Sequence, residues 1–215
     1  MRHLDLETWD RREHFRFFQG LRNPCVGLTV PLPARRLAEH RRGLAVPGRL
    51  SDRLSYCAMR AANEVPELRQ RIVDLRPVEF ARVDAGFTYI PRGRSLHANC
   101  VAAYDPDFAA FSAGIQAARD LADRAPTLTP AGAEGQGLIY ISVLPGHSFT
   151  ALSNPWGDPW VDTVPRVAFG RLDPDTGLLP VAVEALHSFV DGRHLSDFLD
   201  VLSALFADPE GVFGE

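Results

Sequence analysis

The stretch LLPVAVEALHSFVDGRHLSDFLDVLSALF, Leu178 to Phe206, sets the organisation of the chain. Leu178 to Leu186 reads as a strand. It runs directly into His187-Ser188-Phe189-Val190-Asp191-Gly192. A helix then spans about Arg193 to Phe206, with Leu195, Phe198, Leu199, Leu202 and Leu205 on one side. Just upstream, Val164 to Gly170 is a second strand. Asp173-Pro174-Asp175-Thr176-Gly177 lies between the two and has the composition of a hairpin turn.

Working outward, Cys25 to Pro31 alternates as a strand, and Pro33 to Arg42 begins with Pro and reads as a short helix. Ser51 to Val65 opens on Ser-Asp and places Leu54, Cys57, Ala58, Ala61 and Ala62 on one helical face. Glu79 to Val83, Phe87 to Ile90 and Ser95 to Ala103 have the period of two expected of strands. Asp105 to Arg124 is the strongest helical stretch, with Pro106 just inside an acidic start and Phe108, Phe111, Ile115 and Leu121 at helical spacing. Leu138 to Leu144 is a clear strand and Phe149 to Leu152 a possible further one. The sum predicts one α+β domain over residues 1–215, a mixed β-sheet flanked by helices.

Composition excludes several chemistries. The 215 residues contain no Lys; all 23 cations are Arg, against 27 Asp plus Glu, for a net charge of −4. That balance speaks against a nucleic-acid partner. No Schiff-base lysine and no lysine-dependent phosphate loop is possible. Apolar runs fall far short of the roughly 20 residues a membrane span needs, and the polar start shows no signal peptide. A cytoplasmic protein without a membrane partner is expected. Cys25, Cys57 and Cys100 are odd in number and contain no C-x-x-C pair, which predicts thiols rather than a disulfide framework or a metal site.

His187, Asp191 and Gly192 form an H-x-x-x-D-G pattern at a strand-to-helix junction, where side chains are exposed at the end of a sheet. Histidine there suits a general base near neutral pH. A turn histidine followed by a helix-capping Asp explains the same pattern, so the motif alone leaves both readings open.

The segment Trp9-Asp10-Arg11-Arg12-Glu13-His14-Phe15-Arg16-Phe17-Phe18 resembles the W-x-R-x-x-H-F opening of the type A chloramphenicol acetyltransferases. The resemblance continues in order through Asn23-Pro24-Cys25, Pro66-Glu67-Leu68-Arg69, Phe87-Thr88, Ile141-Ser142-Val143-Leu144-Pro145 and the His187-to-Gly192 block. It covers about Asp5 to Leu205 and implies the CoA-dependent acyltransferase fold, an antibiotic-resistance enzyme, and a homotrimer with sites between subunits. It further implies acetyl-CoA as co-substrate, no metal, and a small alcohol acceptor. His187 is implied as the base and an Asp191–Arg11 ion pair as its brace, which a planar guanidinium suits better than an ammonium. Arg171 and Thr150 are implied near the cofactor. Phe18, Cys25, Phe149 and His147 are candidates for the acceptor channel, although a loop histidine and a buried strand thiol account equally for His147 and Cys25. His194 reads as a surface or packing residue.

Departures from the family pattern matter as much. Leu186 replaces the first of two adjacent histidines. A gapless alignment after Ile141-Ser142-Val143-Leu144-Pro145 puts Ala151 where a serine would stabilise the oxyanion, a donor worth about 10²–10³ in rate. Ala168 stands for a threonine, Arg171 for a lysine and Leu172 for a CoA-facing tyrosine. Two readings follow: an O-acetyltransferase acting through His187, or a catalytically impaired trimeric relative that binds or regulates. The dihydrolipoyl acyltransferases, peptide-synthetase condensation domains and plant-type alcohol acyltransferases share H-x-x-x-D-G, but their added lipoyl domains or double length set them apart.

Overall fold

The computed structural model describes residues 1–43 and 48–214. Its strands are β1 (Arg2–His3), β2 (Cys25–Pro33), β3 (Gln70–Val73), β4 (Arg76–Glu79), β5 (Asp84–Tyr89), β6 (Ala98–Ala102), β7 (Leu138–Val143), β8 (Arg166–Phe169) and β9 (Leu178–Leu186). Its helices are α1 (Arg12–Gln19), α2 (Arg35–Gly43), α3 (Leu50–Glu64), α4 (Phe108–Arg124), α5 (Gly192–Ala207) and α6 (Pro209–Phe213), with a 3₁₀ turn at Pro66–Arg69. A six-stranded mixed sheet runs β2-β9-β8-β7-β5-β6, and a small sheet runs β1-β4-β3. No helix among the described residues is long and apolar enough to cross a membrane.

Strand alternation sorts the large sheet into two faces. Val183, Val167, Ile141, Phe87 and Cys100 lie in one register row and are buried. Helices α3, α4 and α5 cover this face, with α5 packed on β2 and α3. The next row is polar or small up to its edge: Gly27, Glu184, Arg166, Tyr140 and Gly86, with Val101 at the end on β6. Both glycines have a steric reason. A Cβ on Gly27 would come within 2.8 Å of Glu184 Cγ, and one on Gly86 within 2.7 Å of the Tyr140 ring. The face opposite the helices therefore carries long polar side chains.

Strand direction fixes where the chemistry sits. β9 runs antiparallel to β8, and β8 runs parallel to β7. The C-terminal end of β9, where His187 follows, thus lies at one end of the sheet. The C-terminal ends of β7 and β8, with Ser142 to Pro145 and Gly170 to Arg171, lie at the other.

The strand β9 and the hairpin it forms with β8 match the sequence reading. Asp173 closes the turn by accepting the backbone N–H groups of Asp175 (2.9 Å) and Thr176 (2.8 Å), and Gly177 takes a φ of 74°. Three expectations need correction. The strand expected at Glu79 to Val83 is Arg76–Glu79, shifted because it pairs with β3, Val73 opposite Arg76. The helix expected from Asp105 begins at Phe108, because Asp107 is the N-cap and accepts the Ala109 N–H at 2.8 Å. Phe149 to Leu152 is not a strand: residues 144–165 cross back from the end of β7 to the start of β8 without regular pairing.

Candidate active site

The turn after β9 is pinned from both sides. The His187 N–H donates to Pro24 O at 2.7 Å, prolonging the β2–β9 pairing by one residue. Phe189 and Val190 close back onto Leu186 O and are buried, with the Phe189 ring 5.6 Å from Phe15 and 6.2 Å from Trp9. The aromatic residues of the N-terminal segment thereby hold the motif they precede by some 170 residues of chain. Ser188 is fully buried and bonds the Gln19 side chain, which in turn donates to Pro159 O.

Arg11 is the centre of the arrangement. Its Nη1 and Nη2 donate to Asp191 Oδ2 and Oδ1 at 2.5 and 2.6 Å, a bidentate pair. Nη2 also donates to His187 O at 2.8 Å and Nε to Ser188 O at 3.0 Å. One guanidinium therefore fixes both ends of the His187–Asp191 turn, and these bonds hold the Asp191 carboxyl below the usual carboxylate range. The Phe18 ring stacks on the His187 imidazole, centroids 3.9 Å apart and planes 11° apart. His187 Nδ1 lies 3.2 Å from Asp191 Oδ1, close but without hydrogen-bond alignment. The imidazole plane is thus set by stacking and by its own backbone, leaving the ring edge half-exposed.

At the opposite end two cavities meet. A cavity of about 880 Å³ is lined by α3, α4 and the ends of β5 and β7, with His97 on its wall and Arg49, Arg119 and Arg171 supplying cationic groups. Arg119 is held there by Asp52 through a buried bidentate pair. A smaller cavity of about 230 Å³ opens on the polar face of the sheet, past Tyr140, Asn154 and Arg166. Phe87, Thr88, Ile141 and Ser142 line both. Among the described residues, the Thr88 and Ser142 hydroxyls make no hydrogen bond to protein. A pair of uncommitted hydroxyls at a junction between cavities is where a reacting group can be polarised.

Of the residues singled out in the sequence, Arg11, Phe18, His187 and Asp191 come together. Arg171 lines the larger cavity beside Leu172, and its N–H donates to His147 O at 2.8 Å. Phe149 packs beneath Gly170, where a Cβ would approach its ring to 2.9 Å. His147, Thr150 and Ala151 are exposed and line neither cavity. Cys25 sits 3.8 Å from Glu184 Oε1, whose other oxygen accepts from Asn154 N and Nδ2. Burial, with that carboxylate beside it, pushes the Cys25 thiol up to about 12. It is a neutral thiol, not a nucleophile. Ser142, which borders both cavities, is a candidate that the sequence reading does not single out although it stands inside the quoted Ile141-to-Pro145 stretch. Period-two alternation places it on the face opposite buried Ile141, and that was the available signal.

Within one chain the two groups stay apart. Ser142 pairs with Ala168, which pairs with Ala182, five residues before His187. At about 3.3 Å per residue this is roughly 17 Å along the strands, and two strands across adds roughly 10 Å laterally. Proton transfer needs about 3 Å.

Comparison with known proteins points one way. Residues 1–203 match the family profile described as Chloramphenicol acetyltransferase. A chloramphenicol acetyltransferase of Streptomyces acrimycini is 32% identical over 217 residues, covering 96% of this chain and 94% of that protein. Chloramphenicol acetyltransferase 2 of Escherichia coli is 29% identical over 205 residues, covering 94% and 95%. Among solved structures, a chloramphenicol acetyltransferase superposes with a TM-score of 0.86 at 24% identity, over 96% of this chain and all of that one. A probable dihydrolipoamide acetyltransferase from Listeria monocytogenes shares the fold at a TM-score of 0.67 and 13% identity, over 94% and 91%.

Proposed function

Because the chain belongs to the chloramphenicol acetyltransferase family, we propose that it transfers the acetyl group of acetyl-CoA to a hydroxyl of a small alcohol, chloramphenicol or a relative. The observation that carries this reading is the four-bond grip of Arg11 on the His187–Asp191 turn. An alcohol is a poor nucleophile until it loses its proton, and a neutral imidazole in a fixed plane can take that proton near pH 7. The oxygen then attacks the thioester carbonyl directly. The tetrahedral oxyanion collapses, the C–S bond breaks, and the imidazolium returns its proton to the CoA sulfur. No acyl-enzyme forms.

Ser142 is the hydroxyl assigned to the oxyanion, with Thr88 beside it, since both stand between the cavities. The larger cavity takes CoA, with Arg171 and its neighbouring cations suited to phosphate, and the smaller takes the acceptor. Because one chain holds base and hydroxyl far apart, the working site forms between copies, which fits a homotrimer.

The impaired-relative reading keeps one observation in its favour. Ala168 lies between Ser142 and Ala182 in register, buried on the sheet face opposite the helices, and brings no hydroxyl there. The two readings separate in one assay: thiol release from acetyl-CoA by purified protein, with a panel of alcohols that includes chloramphenicol. Acceptor-dependent thiol release is expected. Silence across the panel, with CoA still bound, would instead establish the binding role.

A further inference from the structure

The backbone N–H of Asp191 donates to Nδ1 of His194 at 2.9 Å, three residues into the turn of α5. A Glu or Gln side chain commonly accepts from this position in a capping box; here an imidazole does. The bond has a consequence for the ring. Nδ1 accepts, so it carries the lone pair, and in a neutral imidazole the proton must then sit on Nε2. Nε2 faces Glu67, with Oε1 at 3.8 Å, and both side chains are largely covered. That distance exceeds a hydrogen bond, yet a carboxylate there favours the Nε2–H form.

Glu67 is itself held. It lies in the Pro66–Arg69 turn, whose Leu68 is buried and whose Leu68 O accepts from Arg71 Nη1 at 2.8 Å. Arg71 is entirely buried and donates to four backbone carbonyls, among them Gln136 O and Leu138 O at the start of β7. A continuous set of contacts therefore leads from the start of β7 through Arg71, the Glu67 turn and His194 to the backbone of Asp191. Arg11 grips the same residue through its carboxylate.

We propose that Glu67 and His194 are positioning residues: they hold Asp191 by its main chain while Arg11 holds its side chain, and the two grips together fix the turn whose backbone presents the His187 ring to the stacked Phe18. This rests on the acyl-transfer reading for its catalytic consequence but not for its geometry. His194 touches no reacting atom, so its loss reaches the chemistry through orientation alone. A displacement of the order of 1 Å costs up to about 10²-fold in rate.

The test has two readouts. Nitrogen-15 spectra of the imidazoles in the intact protein report the tautomer whether or not the protein turns over. A non-protonated Nδ1 and a protonated Nε2 on His194 are expected, with that preference reduced in Glu67→Gln. A proton on Nδ1 in the native protein at neutral pH overturns the brace. In turnover, His194→Ala is expected to lower kcat about 10- to 100-fold with KM for acetyl-CoA unchanged. His194→Asn, whose amide oxygen takes the place of Nδ1, is expected to recover most of that loss. Equal losses in both variants accompanied by a raised KM, or no loss in either, would overturn the positioning role. If wild-type protein shows no turnover, the acyl-transfer reading fails and the tautomer still decides the brace.

Discussion

The two ends of the large sheet are built on opposite principles. At the His187 end the groups that brace the motif are engaged, the imidazole Nδ1 excepted: Arg11 makes four bonds, Ser188 is paired with Gln19, and Asp191 is held by backbone and side chain. At the Ser142 end the hydroxyls of Ser142 and Thr88 are uncommitted and border two cavities. One end is finished; the other awaits partners. A base must have its orientation settled before substrate arrives, whereas groups that stabilise developing charge must be free to receive it. On the proposed reading of a site between copies, each chain carries half of it in each of two unlike states of completion.

The largest effect belongs to the finished end. His187→Ala is expected to lower acceptor-dependent thiol release by about 10²–10⁴-fold, with the fold kept because the ring is half-exposed rather than in the core. Turnover that survives at the wild-type rate would remove His187 from the chemistry and leave the braced turn as a structural feature.

Next comes the unfinished end. Ser142→Ala is expected to cost about 10²–10³ in kcat. The comparison is sharpest when the two variants are mixed. Refolding His187→Ala together with Ser142→Ala at equal ratio should restore about a quarter of wild-type turnover, because a site between copies draws its base and its hydroxyl from different chains. Activity no higher than that of either variant alone would mean that one chain supplies both, against the roughly 17 Å that the strand register sets between them.

A smaller effect tests the brace by pH. Asp191 is depressed in the folded protein by its bonds to Arg11. Its contribution to stability is therefore fully present above the ordinary carboxylate value of about 3.9 and is lost as pH falls below that value through the folded one. Thermal midpoints measured from about pH 5 down to 2 should fall more steeply in the wild type than in Asp191→Asn, which lacks this titration. Parallel curves would show that Asp191 titrates as an ordinary surface carboxylate.

Much of this was legible in the sequence, and the failures have physical causes. Leu178–Leu186 and the helix that follows were read within a residue, because a continuous apolar run and a 3.6-residue period rarely mimic each other. β3 and β4 escaped because their connection is Asp74-Leu75, both at positive φ (50° and 59°), in a two-residue hairpin turn. Such turns ordinarily announce themselves with Gly or Asn, and Leu gives no warning. Arg11 and Asp191 were placed by resemblance, since no local pattern relates residues 180 apart. His194 was read as surface or packing because a histidine at the third helical position is silent about whether its ring turns back to the cap.

Ala151 is where sequence reasoning and structure part most clearly, and it gives the smallest predicted effect. A gapless alignment treats residues 149–152 as a strand and charges Ala151 with a missing oxyanion donor. The chain there has left β7 and crosses back irregularly, so alternation no longer decides which way a side chain faces. Ala151 is exposed and borders neither cavity, while Ser142, nine residues earlier and still in β7, borders both. A hydroxyl restored at an exposed position away from the reacting carbonyl has nothing to stabilise. Ala151→Ser should leave kcat within about twofold of wild type, even as Ser142→Ala loses the full oxyanion contribution of about 10²–10³. A tenfold gain from Ala151→Ser, together with indifference to Ser142→Ala, would move the donor to the crossing segment and reverse the assignment.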